Sequence, residues 1–150
     1  MTSVLSGPRP LPLAAVDLLE RSRVSLLAAC RTTDVYERYI EAHLGALRAA
    51  AALLAARSVP ASRPSRPRSV WDVLPQLAPE LREWAEFFAA SAEQRAAIGR
   101  GAFLSARAAD DLVRQSETFL EIVQGILGAP LSAPLPDLIS PTMSVRTGRR

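Results

Sequence analysis

Apolar residues recur at helical spacing along most of the chain, and no stretch needs the strict alternation of a strand. The first helical pattern runs from about Leu13 to Arg31. Val16, Leu19, Leu26, Leu27 and Cys30 share one broad face, with Asp17 and Arg21 roughly opposite. Arg23 falls inside that apolar sector and Leu18 outside it. The second pattern starts at Asp34, which can cap a helix, with Glu37 placed as in a capping box. It continues to about Arg57, with only Gly45 as a weak point. Tyr36, Ile40, His43, Leu44, Leu47, Ala51 and Leu54 make one stripe; Tyr39, Ala42, Ala46, Ala50 and Leu53 make a second beside it. Asp34, Glu37, Arg38, Glu41 and Arg48 fill a narrow polar sector. A helix so widely apolar is expected to be central and packed on two sides.

Pro60, Pro64 and Pro67 stop any helix within residues 58–69, which read as an Arg/Pro linker. Ser69 can cap a short helical turn holding Trp71 and Leu74, with Pro75 expected to end it. Pro79 suits the first position of a third long helix, which carries Leu81, Trp84, Ala85, Phe88 and Ala92 on one face and ends near Gly99. Ser105 can cap the last helix, whose apolar face includes Ala109, Leu112, Val113, Phe119, Leu120, Val123, Ile126 and Leu127. Gly128 and Pro130 end it. The expected fold is all-α: an antiparallel up-and-down bundle of four main helices plus a short helical turn, over residues 13–127. Residues 1–12 read as a flexible leader and 128–150 as a disordered tail.

Composition narrows the chemistry. The chain has 150 residues, 49% of them hydrophobic, enough for one domain with a real core. All 18 basic side chains are arginine and 26 residues are alanine, a bias typical of high-GC bacterial coding. The net charge is only +3, its excess gathered in the linker and at Arg146, Arg149 and Arg150. Such tracts can attract phosphates or simply keep a segment solvated. One cysteine, Cys30, excludes a disulfide scaffold, and one histidine, His43, leaves no conventional zinc site. Neither metal nor cofactor is expected. The longest uncharged run, Ile122 to Pro136, carries three prolines and falls short of the ~20 apolar residues of a membrane-spanning helix. No signal peptide is evident, so a cytoplasmic protein is expected.

Glycine-rich phosphate loops, G-x-S-x-G and H-E-x-x-H are all missing from the sequence. What remains is Arg38-Tyr39-Ile40-Glu41-Ala42-His43, an arginine and a histidine separated by four residues early in a long helix. This resembles the signature of HEPN domains. The wider runs ERYIEAHLGALRAAAALLAAR and VWDVLPQLAPELREWAEFFAA resemble an actinobacterial family of them, over roughly Val16 to Val123. The resemblance implies a metal-independent endoribonuclease, or an RNA- or nucleotide-binding module, acting as a homodimer with one composite site. Carried over, His43 is the general acid or base and Arg38 holds the scissile phosphate. Arg38, Tyr39 and Arg48 are the candidate nucleic-acid contacts. In active members the residue after the arginine is commonly polar; here it is Tyr39, which can stack on a base or pack in the core. The alternative is a catalytically silent helical adaptor that keeps the fold and binds a protein partner or nucleic acid.

The residues alone also allow plainer roles. On an ideal helix Arg38 and His43 point about 140° apart. Arg38 lies in the polar sector beside Asp34 and Glu41, and His43 on the apolar stripe. Trp71, Trp84, Phe87 and Phe88 suit core packing better than a base-stacking platform, and Cys30 suits a small buried residue. Asp110 and Asp111 point ~100° apart, which favours pairing with Arg107 or Arg114 over metal binding.

Overall fold

The computed structural model describes residues 10–57 and 69–141. Most of the expected leader and linker, and the end of the tail, lie outside them. Five α-helices and one 3-10 turn follow in order: α1 (Leu13–Arg31), α2 (Val35–Arg57), α3 (Val70–Leu77), the turn Pro79–Leu81, α4 (Arg82–Gly99) and α5 (Ala106–Leu127). No strand occurs among the described residues, and none of the helices is long and apolar enough to cross a membrane.

Local chemistry sets the helix ends. Asp34 Oδ1 accepts from the Tyr36 and Glu37 amides at 2.8 and 3.3 Å. The reciprocal half of the capping box is absent. Glu37 accepts from the Thr32 hydroxyl instead, and that hydroxyl accepts from the Asp34 amide. Ser69 and Ser105 cap α3 and α5. Gly128 closes α5 in the left-handed conformation (φ 67°), where a Cβ would be strained. Pro75 does not end α3. It sits in the last turns, where only one helix hydrogen bond needs its missing N–H, and the helix runs on until the Ala78 amide donates to Leu74 O.

α2 is central, as its breadth predicts. α1 folds back antiparallel along one side of it, α5 covers a second, and α3 with α4 closes the rest. The more deeply buried stripe of α2 is the alanine-rich one: Ala42, Ala46, Ala50 and Leu53 are fully buried, while Leu44, Leu47 and Leu54 are only partly so. Small side chains let neighbouring backbones approach. The same logic moves α1 from its expected register: Ala15, Ser22 and Ser25 are buried, while Val16 is 48% exposed. The Ser22 hydroxyl donates to Gly45 O at 2.7 Å. A Cβ on Gly45 would lie 2.7 Å from Leu26 Cδ2 and 3.3 Å from Ser22 O. Leu26 is fully buried and cannot yield freely. Gly45→Val is therefore expected to lower stability by about 2–3 kcal/mol through overpacking, read as a reduced urea midpoint. An unchanged midpoint would place the α1–α2 contact elsewhere.

Residues 128–141 differ from the disordered tail expected there. They have no regular secondary structure, yet lie against α1 and α5 as a strap. Leu135 is buried, the Ile139 amide donates to Cys30 O at 3.1 Å, and the Leu135 amide donates to Glu117 Oε2 at 2.7 Å. Arg23, misplaced in the apolar sector of α1, reaches across to donate to Ala133 O.

Candidate functional site

The turn between α1 and α2 brings the last carbonyls of α1 over the first turn of α2. Those carbonyls have no helical partner of their own. Arg38 supplies one. Its Nε donates to Ala29 O at 3.0 Å, and Nη2 donates to Thr32 O at 2.8 Å and to Ile139 O of the strap. Nη1 donates to Asp110 Oδ1 on α5 at 2.7 Å, a salt bridge. The residue is 1% exposed. This corrects the placement of Arg38 in a solvated polar sector with Asp34 and Glu41. A planar guanidinium with five donors suits this many-sided enclosure, where a lysine ammonium would not.

His43 points into a different part of the interior. It is 3% exposed, with its ring 5.9 Å from that of Trp71 and 6.4 Å from that of Phe88, both edge-on. Nδ1 has no hydrogen-bond partner among the described residues. Burial, helped by the positive charge of Arg95, lowers its pKa to about 4, so the imidazole is neutral at physiological pH. Trp71 and Phe88 join Trp84 and Phe119 in one stacked and tilted cluster. Core packing, rather than a base-stacking platform, is their role, although Phe87 at the edge remains 42% exposed.

Tyr39 is buried, and its hydroxyl donates to Ser91 O at 3.3 Å; burial raises its pKa. It forms part of the wall of an open cleft of about 420 Å³ between α4 and α5, with Phe87, Phe103, Gln94 and Asp111. Arg48 lies about 15 Å further along α2 than Arg38, where it donates to Ser25 Oγ at 2.7 Å. The structure therefore does not bring the four candidate residues together. Each is engaged in a separate part of the fold.

Sequence reasoning missed Asp110 as the partner of Arg38, and missed the strap. Spacing on the helix favours Arg107 or Arg114 for Asp110, but of these pairings only Asp111 with Arg107 forms, at 3.9 Å on the surface. The available signal for the strap was its apolar run Leu131, Leu135, Leu138 and Ile139, unusual for a solvated tail. Cys30 is the small buried residue expected, its thiol pKa raised by burial. No group of three or more potential metal ligands occurs among the described residues.

The model of the SAV_6107-like HEPN family matches residues 29–124, which span α2 to α4 entire and all but the last turn of α5. The chain belongs to that family, and its helical bundle is a HEPN domain. Neither a curated protein nor a solved structure matches it.

Proposed function

We propose that this HEPN module is catalytically silent and works by binding a protein partner, with Arg38 tying the fold together and His43 packed in its aromatic core. One observation carries the reading: four hydrogen bonds from the guanidinium of Arg38 end on protein acceptors, in a residue 1% exposed. No donor set is left open for a scissile phosphate. His43 supports the same view, because a general acid needs a proton at neutral pH, and acid and base alike need access to the reacting oxygens. A group with a pKa near 4 and 3% exposure has neither.

The test is incubation of labelled RNA with micromolar protein in EDTA. The expected result is no cleavage by the wild type, and the same for His43→Leu with its fold intact by circular dichroism. Metal-independent cleavage by the wild type, lost in the folded variant, would restore the endoribonuclease reading.

The module is further proposed to act as a homodimer through the outer face of α1. Leu13, Val16 and Val24 lie on one stripe there, 85%, 48% and 56% exposed, with Glu20 between them. Light scattering is expected to give twice the chain mass, reduced to one chain by Val24→Glu. A wild-type monomer at micromolar concentration overturns it.

A further inference from the structure

The strap is held in an unusual way. Leu135 is its one buried side chain, Ala129 and Leu138 pack partly buried against the core, and Leu131 and Ile139 are 66% and 45% exposed. Most of its polar attachment is made through its backbone. Arg23 donates to Ala133 O, Glu117 accepts from the Leu135 amide, and Arg38 and Cys30 O take the carbonyl and amide of Ile139. Gln124 adds a bond to the Ser132 hydroxyl. Pro134 and Pro136 flank the buried leucine. They have no N–H to satisfy and favour an extended chain, so the groove never has to meet a donor at those positions.

Fixed donors and acceptors placed along a groove, with a site for one apolar side chain, are the means by which proteins recognise extended peptides. The charges are mixed. Arg23, Arg38 and Arg114 share the groove with Glu117 and Asp110, and the two carboxylates beside the strap oppose a polyanion while leaving donors and acceptors for a polypeptide backbone. A segment held by few buried apolar contacts also opens more easily than the core beneath it.

We propose that the α1–α5 groove is a peptide-binding site, with the strap as its resident occupant. Its ligand in trans is an extended segment of a partner protein with a proline-flanked leucine followed by aliphatic residues. This deepens the partner-binding reading above, and peptide binding fails or succeeds independently of the RNA cleavage assay. The tethered strap competes at an effective concentration in the millimolar range, so the intact chain binds such a peptide weakly.

The experiment uses the full chain and a fluorescein-labelled peptide of residues 129–141, followed by fluorescence anisotropy. Two variants loosen the strap: Leu135→Asp removes the anchor, and Ile139→Pro removes the donor to Cys30 O. Hydrogen exchange at strap amides reports the opening, and circular dichroism the bundle. The loosened chains are expected to bind the peptide at least tenfold more tightly than wild type. Arg23→Ala in the loosened background, or Leu135→Asp within the peptide, is expected to abolish that gain. A chain shown to be open that binds the peptide no better than wild type overturns the proposal. So does an open chain that captures a labelled oligouridylate in preference to the peptide.

Discussion

Arg38→Met is expected to lower the unfolding free energy by about 3–4 kcal/mol, the largest loss from any single substitution in the α1–α2 hairpin. Methionine keeps most of the buried stem, so little of the loss comes from a cavity. What disappears is the donor set that holds Ala29 O, Thr32 O, Ile139 O and Asp110 together. The Asp110 side chain is 37% exposed and can turn to water, which places the cost at the lower end for a broken buried pair. The carbonyls at the end of α1 have no such escape. Arg38→Lys is expected to recover less than half of the loss, since an ammonium can serve Asp110 and one carbonyl but cannot span four acceptors. The measurements are urea unfolding followed by circular dichroism, and exchange at the Ile139 amide, which should speed up as its neighbouring carbonyl loses Arg38. A loss below about 1 kcal/mol would mean that Arg38 is not what ties α1, α5 and the strap together.

What the sequence made legible follows physical lines. α2 was readable because it is long, capped by Asp34 and free of proline; its ends fall at Val35 and Arg57, where cap and linker place them. The all-α class and the family resemblance held for the same reason: the match at residues 29–124 covers the strongly periodic segments. Which face lies deepest was not readable. Hydrophobic periodicity weights large apolar residues, whereas α1 and α2 meet through Ser22, Ser25, Gly45 and alanines, whose value is small size. The site was legible as a motif but not as geometry. Helical phase puts Arg38 on a polar flank, and only tertiary structure reveals that this flank faces the end of α1 and Asp110 of α5. The strap has no helical or strand period to read, because it is held by one buried leucine, partly buried Ala129 and Leu138, and scattered hydrogen bonds, most of them to its backbone.

His43 is expected to make the protein acid-sensitive in a defined window. Its ordinary pKa of 6.5 applies to the unfolded chain, and about 4 applies to the folded one. Between those values the unfolded state binds the extra proton, so stability falls as pH drops from about 6.5 towards 4 and is unaffected by this group above that range. The total loss attributable to His43 is roughly 3 kcal/mol, a large share of a typical domain's stability. Carboxylates also titrate towards the lower end of this window, so the informative quantity is the difference between wild type and His43→Leu, measured by urea unfolding at pH 7.5 and pH 5. At pH 7.5 the variant is expected to equal or exceed the wild type, because leucine removes a buried Nδ1 that has no partner among the described residues. At pH 5 the variant is expected to be the more stable by about 2 kcal/mol, since it has no imidazole whose charging favours the unfolded chain. Parallel losses in both proteins between the two pH values would show that the imidazole is accessible to protons in the folded state. That result would reopen His43 as a group able to exchange a proton with a substrate.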